Sequence, residues 1–171
     1  MQDLLERYPD HRPAFLNVGQ GGIYESPTIA HTVLGSCVSV TFFVPGRGLA
    51  GIFHALLPRA EEYRLHDPES SPYKFVDTAI RTLFARLERR GISRYEIECK
   101  VFGGASALFA EEMSVGRRNV ETAFSTLAEL GLRVAASNVG GERGRKIVFA
   151  TGTGEIFVKL LSNNNPMLCR R

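Results

Sequence analysis

The sequence predicts an α/β fold: a single-domain layered α/β sandwich with mixed, largely antiparallel strands and outer helices. Three observations lead there. Strand-like segments outnumber helical ones and several follow one another directly, which favours antiparallel pairing. Two runs, 38–44 and 49–57, are apolar at nearly every position, the pattern of strands buried on both faces. Two other segments carry apolar residues at helical spacing and each ends at a glycine. The strand succession by itself fits an α/β or an α+β domain.

In chain order, residues 1–13 read as a polar arm with room for a short helix before Pro9 or Pro13. Strand character begins at Phe15-Leu16-Asn17-Val18, bends at Gly19, Gly21 and Gly22, and resumes at Ile23-Tyr24. Residues 28–34 form a strand that stops at Gly35-Ser36. The run 38–44 is rich in β-branched and aromatic residues, Pro45-Gly46-Arg47-Gly48 supplies a turn, and 49–57 returns. A charged loop covers 59–70. Ser71-Pro72 offers an N-cap and first-turn pair for a helix whose apolar stripe is Phe75, Val76, Ala79, Ile80, Leu83, Phe84 and Leu87, closed by Gly91.

A strand at 95–102 stops at Gly103-Gly104, and a second helix runs from about Asn119 to Leu130, closed by Gly131. Strands follow at 132–137, 146–150 and 155–160. The organisation is an arm at 1–13, one domain at 14–161 and a polar tail at 162–171.

A chain of 171 residues can bury a core without staples, and its apolar and charged fractions are those of a globular protein. The net charge of +3 is not gathered into the basic face that nucleic-acid binding requires. Its densest cluster, Arg143, Arg145 and Lys146, reads as a solvated connection between strands. No apolar stretch approaches membrane-spanning length and no signal peptide is evident, so membrane insertion is not expected. Three cysteines, Cys37, Cys99 and Cys169, make no disulfide framework and favour a reducing, cytoplasmic compartment.

Cys37 and His54 stand out. Cys37 follows the Gly35-Ser36 turn at the mouth of one apolar strand, and His54 lies in the next. An ordinary thiol is only a few per cent ionised at neutral pH, so a nucleophilic cysteine needs a base within reach. Gly35 permits a tight turn whose amides, around Ser36 and Cys37, could face a developing oxyanion. Together these parts suit acyl transfer through a thioester. The bland alternative stands beside it, because free cysteines and strand histidines are commonly core residues. Cys99, alternating with Ile97 and Val101, reads as core, Cys169 as an incidental tail thiol, and His11 and His66 as solvated. No spacing fits a metal site, and the Gly103-Gly104 and Gly140-Gly141 pairs lack phosphate-loop spacing, so neither metal nor cofactor is expected.

The segments Thr32-Val33-Leu34-Gly35-Ser36-Cys37-Val38, His54 with Leu57-Pro58, Asp77-Thr78-Ala79-Ile80, Lys100-Val101-Phe102-Gly103-Gly104-Ala105, Gly116-Arg117-Arg118-Asn119, and Val139-Gly140-Gly141 followed by Gly144-Arg145-Lys146 occur in one order. Jointly they resemble the CheD family of chemoreceptor glutamine deamidases. The resemblance implies a hydrolase in which Cys37 attacks a receptor glutamine side chain, His54 is the general base and a threonine shortly before the cysteine orients the histidine; Thr32, five residues before Cys37, and His31, six before, are the two candidates for that position, and Thr32 is favoured because it keeps the hydroxyl. It implies methyl-accepting chemotaxis receptors as substrates and a CheC-type phosphatase as a partner. Phe102, Gly103, Gly104 and Asn119 are then expected on a substrate or partner surface. Two departures are Ser106-Ala107, where Asn-Met is expected, and Asn138, where an aspartate often precedes the Val-Gly-Gly element. A regulatory adaptor with reduced or no activity, and a cysteine hydrolase of another amide or ester, are the rival readings.

Overall fold

The computed structural model describes residues 6–25, 27–63, 71–106 and 114–162. Nine strands are seen among them: β1 (Arg12–Phe15), β2 (Gly21–Tyr24), β3 (Thr28–Leu34), β4 (Val38–Val44), β5 (Leu49–Phe53), β6 (Glu98–Gly103), β7 (Arg133–Val139), β8 (Arg145–Ala150) and β9 (Glu155–Leu160). Two helices accompany them, α1 (Val76–Glu88) and α2 (Val115–Glu129). The strands form a four-stranded sheet, β1-β3-β8-β9, and a five-stranded sheet, β2-β5-β4-β6-β7. Among the nine described strands only β1–β3 and β6–β7 pair in parallel, and the β6–α2–β7 crossover supplies the helix that a parallel pair needs. The α/β sandwich with mixed, largely antiparallel strands is the architecture found.

Side-chain alternation along β4 explains the layering. Val38, Val40, Phe42 and Val44 pack with Val76, Ala79, Ile80, Leu83, Leu87, Ala123 and Leu127, so one face of the larger sheet is roofed by both helices. The other face meets the smaller sheet, where Ala50, Ile52 and Phe102 pack with Ala30, Leu34, Ile147 and Phe149. A strand apolar at almost every position is what a middle layer demands. Leu16 and Cys37 belong to this inter-sheet layer.

Several boundaries differ from the sequence expectation, each for a physical reason. β1 begins at Arg12, so the last residues of the expected arm pair with β3 instead. Helix α1 begins at Val76 rather than after Ser71-Pro72. The amides of Val76 and Asp77 bond the Leu57 and Pro58 carbonyls, so backbone from a distant segment replaces the side-chain cap. Helix α2 begins four residues before Asn119, capped by the Ser114 hydroxyl, which accepts from the Arg117 amide at 3.1 Å. Gly116 is tolerated in its first turn because a Cβ there would stand 2.5 Å from the Ala105 carbonyl.

β5 ends at Phe53, short of the expected 49–57. Beyond it, His54 exchanges backbone bonds with Gly19 and Gln20, and Ala55 with Val38. Ser93 caps a 3₁₀ turn at Arg94–Glu96, which postpones β6 to Glu98. The expected features at Cys169, His66 and Ala107 and in most of the tail lie outside the described residues.

Candidate active site

Three segments deliver the candidate residues to one place between the sheets. After β3 the chain crosses from the smaller sheet to the larger through Gly35-Ser36, and Cys37 is the first residue on the far side. Val38 and Ala55 then exchange both backbone bonds, at 3.0 and 2.9 Å. Because Val38 and Ala55 face the helices, Cys37 and His54 face the opposite sheet as diagonal neighbours. Thr32 reaches them from β3, sharing its inward face with Ala30 and Leu34. That Thr32 and Cys37 both face the layer between the sheets thus comes from the change of sheet, which strand periodicity along one chain cannot express.

The geometry around His54 is specific. Thr32 Oγ1 lies 2.8 Å from the Leu16 carbonyl and 2.8 Å from His54 Nδ1. A carbonyl can only accept, so the single hydroxyl proton goes to Leu16, and Oγ1 accepts from Nδ1–H. The ring's free base is therefore Nε2, which is buried and makes no hydrogen bond among the described residues. His31 points to the outer face of its sheet, where its ring packs 5.2 Å from Phe15. Thr32, and not His31, is brought to His54.

Burial sets the electrostatics. It pushes the Cys37 thiol above its ordinary range, opposed by the residue's own backbone amide. It pushes His54 below the ordinary imidazole range, opposed by the Leu16 backbone. Both groups rest neutral at pH 7, which suits proton transfer on demand rather than a standing thiolate–imidazolium pair. Cys37 is 9% exposed, whereas Cys99 is 0% exposed. Cys99 faces the helices instead, and burial lifts its thiol to about 12.

The turn before Cys37 is held on its carbonyl side. Gly35 accepts from the Ala105 amide at 2.8 Å, Ser36 from Asn119 Nδ2 at 2.9 Å, and Cys37 from the Gly104 amide at 2.9 Å. Phe102, Gly103, Gly104 and Asn119, expected on a surface, are all buried. They frame the turn from beneath, since a Cβ on Gly103 would sit 2.1 Å from the Cys37 carbonyl.

Arg145 corrects a second expectation, for it is 2% exposed rather than solvated. Its guanidinium donates to the Asn138, Gly140 and Arg143 carbonyls and, at 2.7 Å, to Asn138 Oδ1, closing the loop between β7 and β8. His11 is half-buried against Tyr8, ring centroids 5.0 Å apart, rather than solvated.

Sequence reasoning missed the Leu16 carbonyl, because a backbone acceptor has no residue signature. It also missed Ser39, which is the cross-strand partner of His54 in the β4–β5 register and carries a buried hydroxyl with no hydrogen-bond partner among the described residues. Ser39, one of two hydroxyl residues with Thr41 in an otherwise apolar strand, was the available signal. A cleft of about 380 Å³ beside α2 is lined by Gly104, Ser114, Arg117, Val120 and Gly140. None of Thr32, Cys37 and His54 lines it. Among the described residues no cluster of His, Cys, Asp and Glu could hold a metal, and no helix is long and apolar enough to cross a membrane.

Comparison with known proteins adds a family. The family description "CheD chemotactic sensory transduction" matches residues 56–160. The chain is 45% identical over 164 residues to the "Probable chemoreceptor glutamine deamidase CheD" of Oleidesulfovibrio alaskensis, covering 91% of this chain and 76% of that one. It is 42% identical to the protein so described from Nitratidesulfovibrio vulgaris, covering 93% and 82%. With the "Probable chemoreceptor glutamine deamidase CheD 2" of Geobacter sulfurreducens it shares 40%, covering 93% and 96%. Among solved structures, the hypothetical protein YfiH of Bacillus licheniformis aligns with a TM-score of 0.44 at 14% identity, over 69% of this chain and 49% of that one.

Proposed function

The chain belongs to the CheD family, and from that premise we propose that it deamidates glutamine side chains of methyl-accepting chemotaxis receptors, with Cys37 as nucleophile. His54 Nε2 takes the Cys37 proton as sulfur attacks the carboxamide carbon. The tetrahedral oxyanion is received by turn amides at Ser36 and Cys37. Nε2–H then gives its proton to the leaving nitrogen, ammonia departs, and a thioester remains. Water, deprotonated by the same Nε2, attacks the thioester carbonyl. The products are glutamate and the restored thiol.

The observation that carries this reading is the Thr32–His54 bond, which commits Nδ1 to donation and leaves Nε2 as base on the face that Cys37 shares. The chemical outcome is a new negative charge on the receptor, which would alter charge repulsion between its helices. A CheC-type phosphatase as binding partner rests on family resemblance. Pull-down by wild type and by Cys37→Ala would separate binding from catalysis.

Incubation with a receptor cytoplasmic fragment tests the reaction. Wild type should release ammonia and add about 1 Da per converted glutamine, and Cys37→Ala should do neither. Equal activity of the two would remove Cys37 as nucleophile.

A further inference from the structure

Asn119 is an unusual residue for its place. Asparagine is a poor helix former, yet it stands in the second turn of α2 with 0% exposure. Its Nδ2 donates at 2.9 Å to the Ser36 carbonyl and at 3.0 Å to the Leu56 carbonyl, using both amide hydrogens. The Val38–Ala55 pair places Leu56 directly across from Cys37. One carboxamide therefore closes the strand pair just beyond its last backbone rung. It joins the residue before Cys37 to the residue two after His54.

The peptide geometry gives that contact a chemical consequence. Carbonyl and amide of one trans peptide point in opposite directions. With the Ser36 carbonyl drawn toward α2, the Cys37 N–H points away from the helix, to the side where its own sulfur lies. Asn119 Oδ1, by contrast, is buried and makes no hydrogen bond among the described residues. An unpaired buried acceptor is a cost that a purely structural staple would avoid.

We propose that Asn119 is a positioning residue: its carboxamide sets the Ser36–Cys37 peptide so that the Cys37 amide faces the oxygen of the carbonyl under attack. The assignment rests on the reading of Cys37 as nucleophile and adds to it a device acting through the backbone. It also explains why a residue expected on a docking surface is wholly buried.

Two variants test it, each compared with wild type for deamidation and for the pH dependence of Cys37 alkylation, read on the Cys37 peptide by mass. Asn119→Asp keeps the shape but sets an acceptor against two carbonyls, and Asn119→Leu removes the polar group while filling the space. Expected are a fall in kcat of about 10²–10³-fold with KM within about twofold, the size seen on loss of one oxyanion donor. The alkylation midpoint should also move to higher pH, because the thiolate loses its amide. A folded variant with wild-type kcat would overturn the proposal. So would a lost kcat with an unchanged alkylation profile, or loss of fold in both variants, since each assigns Asn119 to stability alone. Absence of deamidation by wild type would sink the parent reading instead, and the alkylation profile would still decide whether Asn119 governs the Cys37 amide.

Discussion

Thr32 Oγ1 accepts a hydrogen bond from His54 Nδ1 at 2.8 Å while giving its own proton to the Leu16 carbonyl, so a residue of one sheet fixes the tautomer of a histidine on the other. The bond spans the inter-sheet layer at a site where both residues are almost wholly buried. A relay ending on a backbone carbonyl carries no charge of its own. It orients the ring without raising its basicity as a carboxylate would.

Thr32→Val should therefore lower kcat by about 10²-fold, at the lower end of what general acid–base catalysis contributes. KM should change little. Stability should fall by about 1–3 kcal/mol, because Nδ1–H and the Leu16 carbonyl both lose their partner. Thr32→Ser, which keeps the hydroxyl, should recover most of the rate. Steady-state kinetics with thermal melts of both proteins check this, and an unimpaired Thr32→Val would remove the relay from the reaction.

The pH dependence follows from burial. With His54 held below its ordinary value of ~6.5, the acid limb of kcat/KM should fall below that pH. Because the folded imidazole is harder to protonate than the unfolded one, its contribution to stability is present above ~6.5 and is lost as pH falls through the lowered folded value. Cys37 alkylation should rise only on the alkaline side of ~8.5, since its thiol is pushed up. Cys99, at about 12, should stay unmodified in the folded protein under the same conditions. Full Cys37 reactivity already at pH 6 would instead indicate a standing ion pair.

Two glycines of positive φ separate strain from steric exclusion. Gly140, with φ of 71°, has open space where a Cβ would go, whereas Gly103, with φ of 110°, has the Cys37 carbonyl at 2.1 Å. Gly140→Ala should cost about 1 kcal/mol, from conformation alone. Gly103→Ala should cost about 3 kcal/mol or more and displace the Cys37 turn, lowering both Tm and deamidation. Thermal melts of the two would show equal losses if exclusion at Gly103 were unimportant.

Arg145 is buried and meets neutral acceptors, among them Asn138 Oδ1 at 2.7 Å. Asn138→Asp would give it a counter-charge without changing shape. A gain of about 1 kcal/mol is expected, kept small by the exposure of residue 138, or roughly 3 °C in Tm. The aspartate would have its pKa lowered by Arg145, so the gain holds above ~3.9 and disappears as pH falls through the lowered value. Calorimetry at pH 7 and below pH 3 checks both halves.

Composition and pattern by themselves determined the layers. The doubly apolar β4, the stripe from Val76 to Leu87 and the glycine stops at Gly91 and Gly131 follow from local chemistry, and local chemistry is written in adjacent residues. Cys37 and His54 were legible because a thiol after a glycine turn and an imidazole in the next strand are local features too. Tertiary structure alone decided which partner His54 has. Thr32 and His31 are neighbours in sequence, and only the sheet they enter turns one hydroxyl inward and one ring outward. It alone converted Asn119 and Arg145 from expected surface residues into buried ones, because the partners of Asn119, and all but one of those of Arg145, are backbone carbonyls. A carbonyl is the same atom at every position of the chain, so its place is set by the fold and not by the residue that bears it.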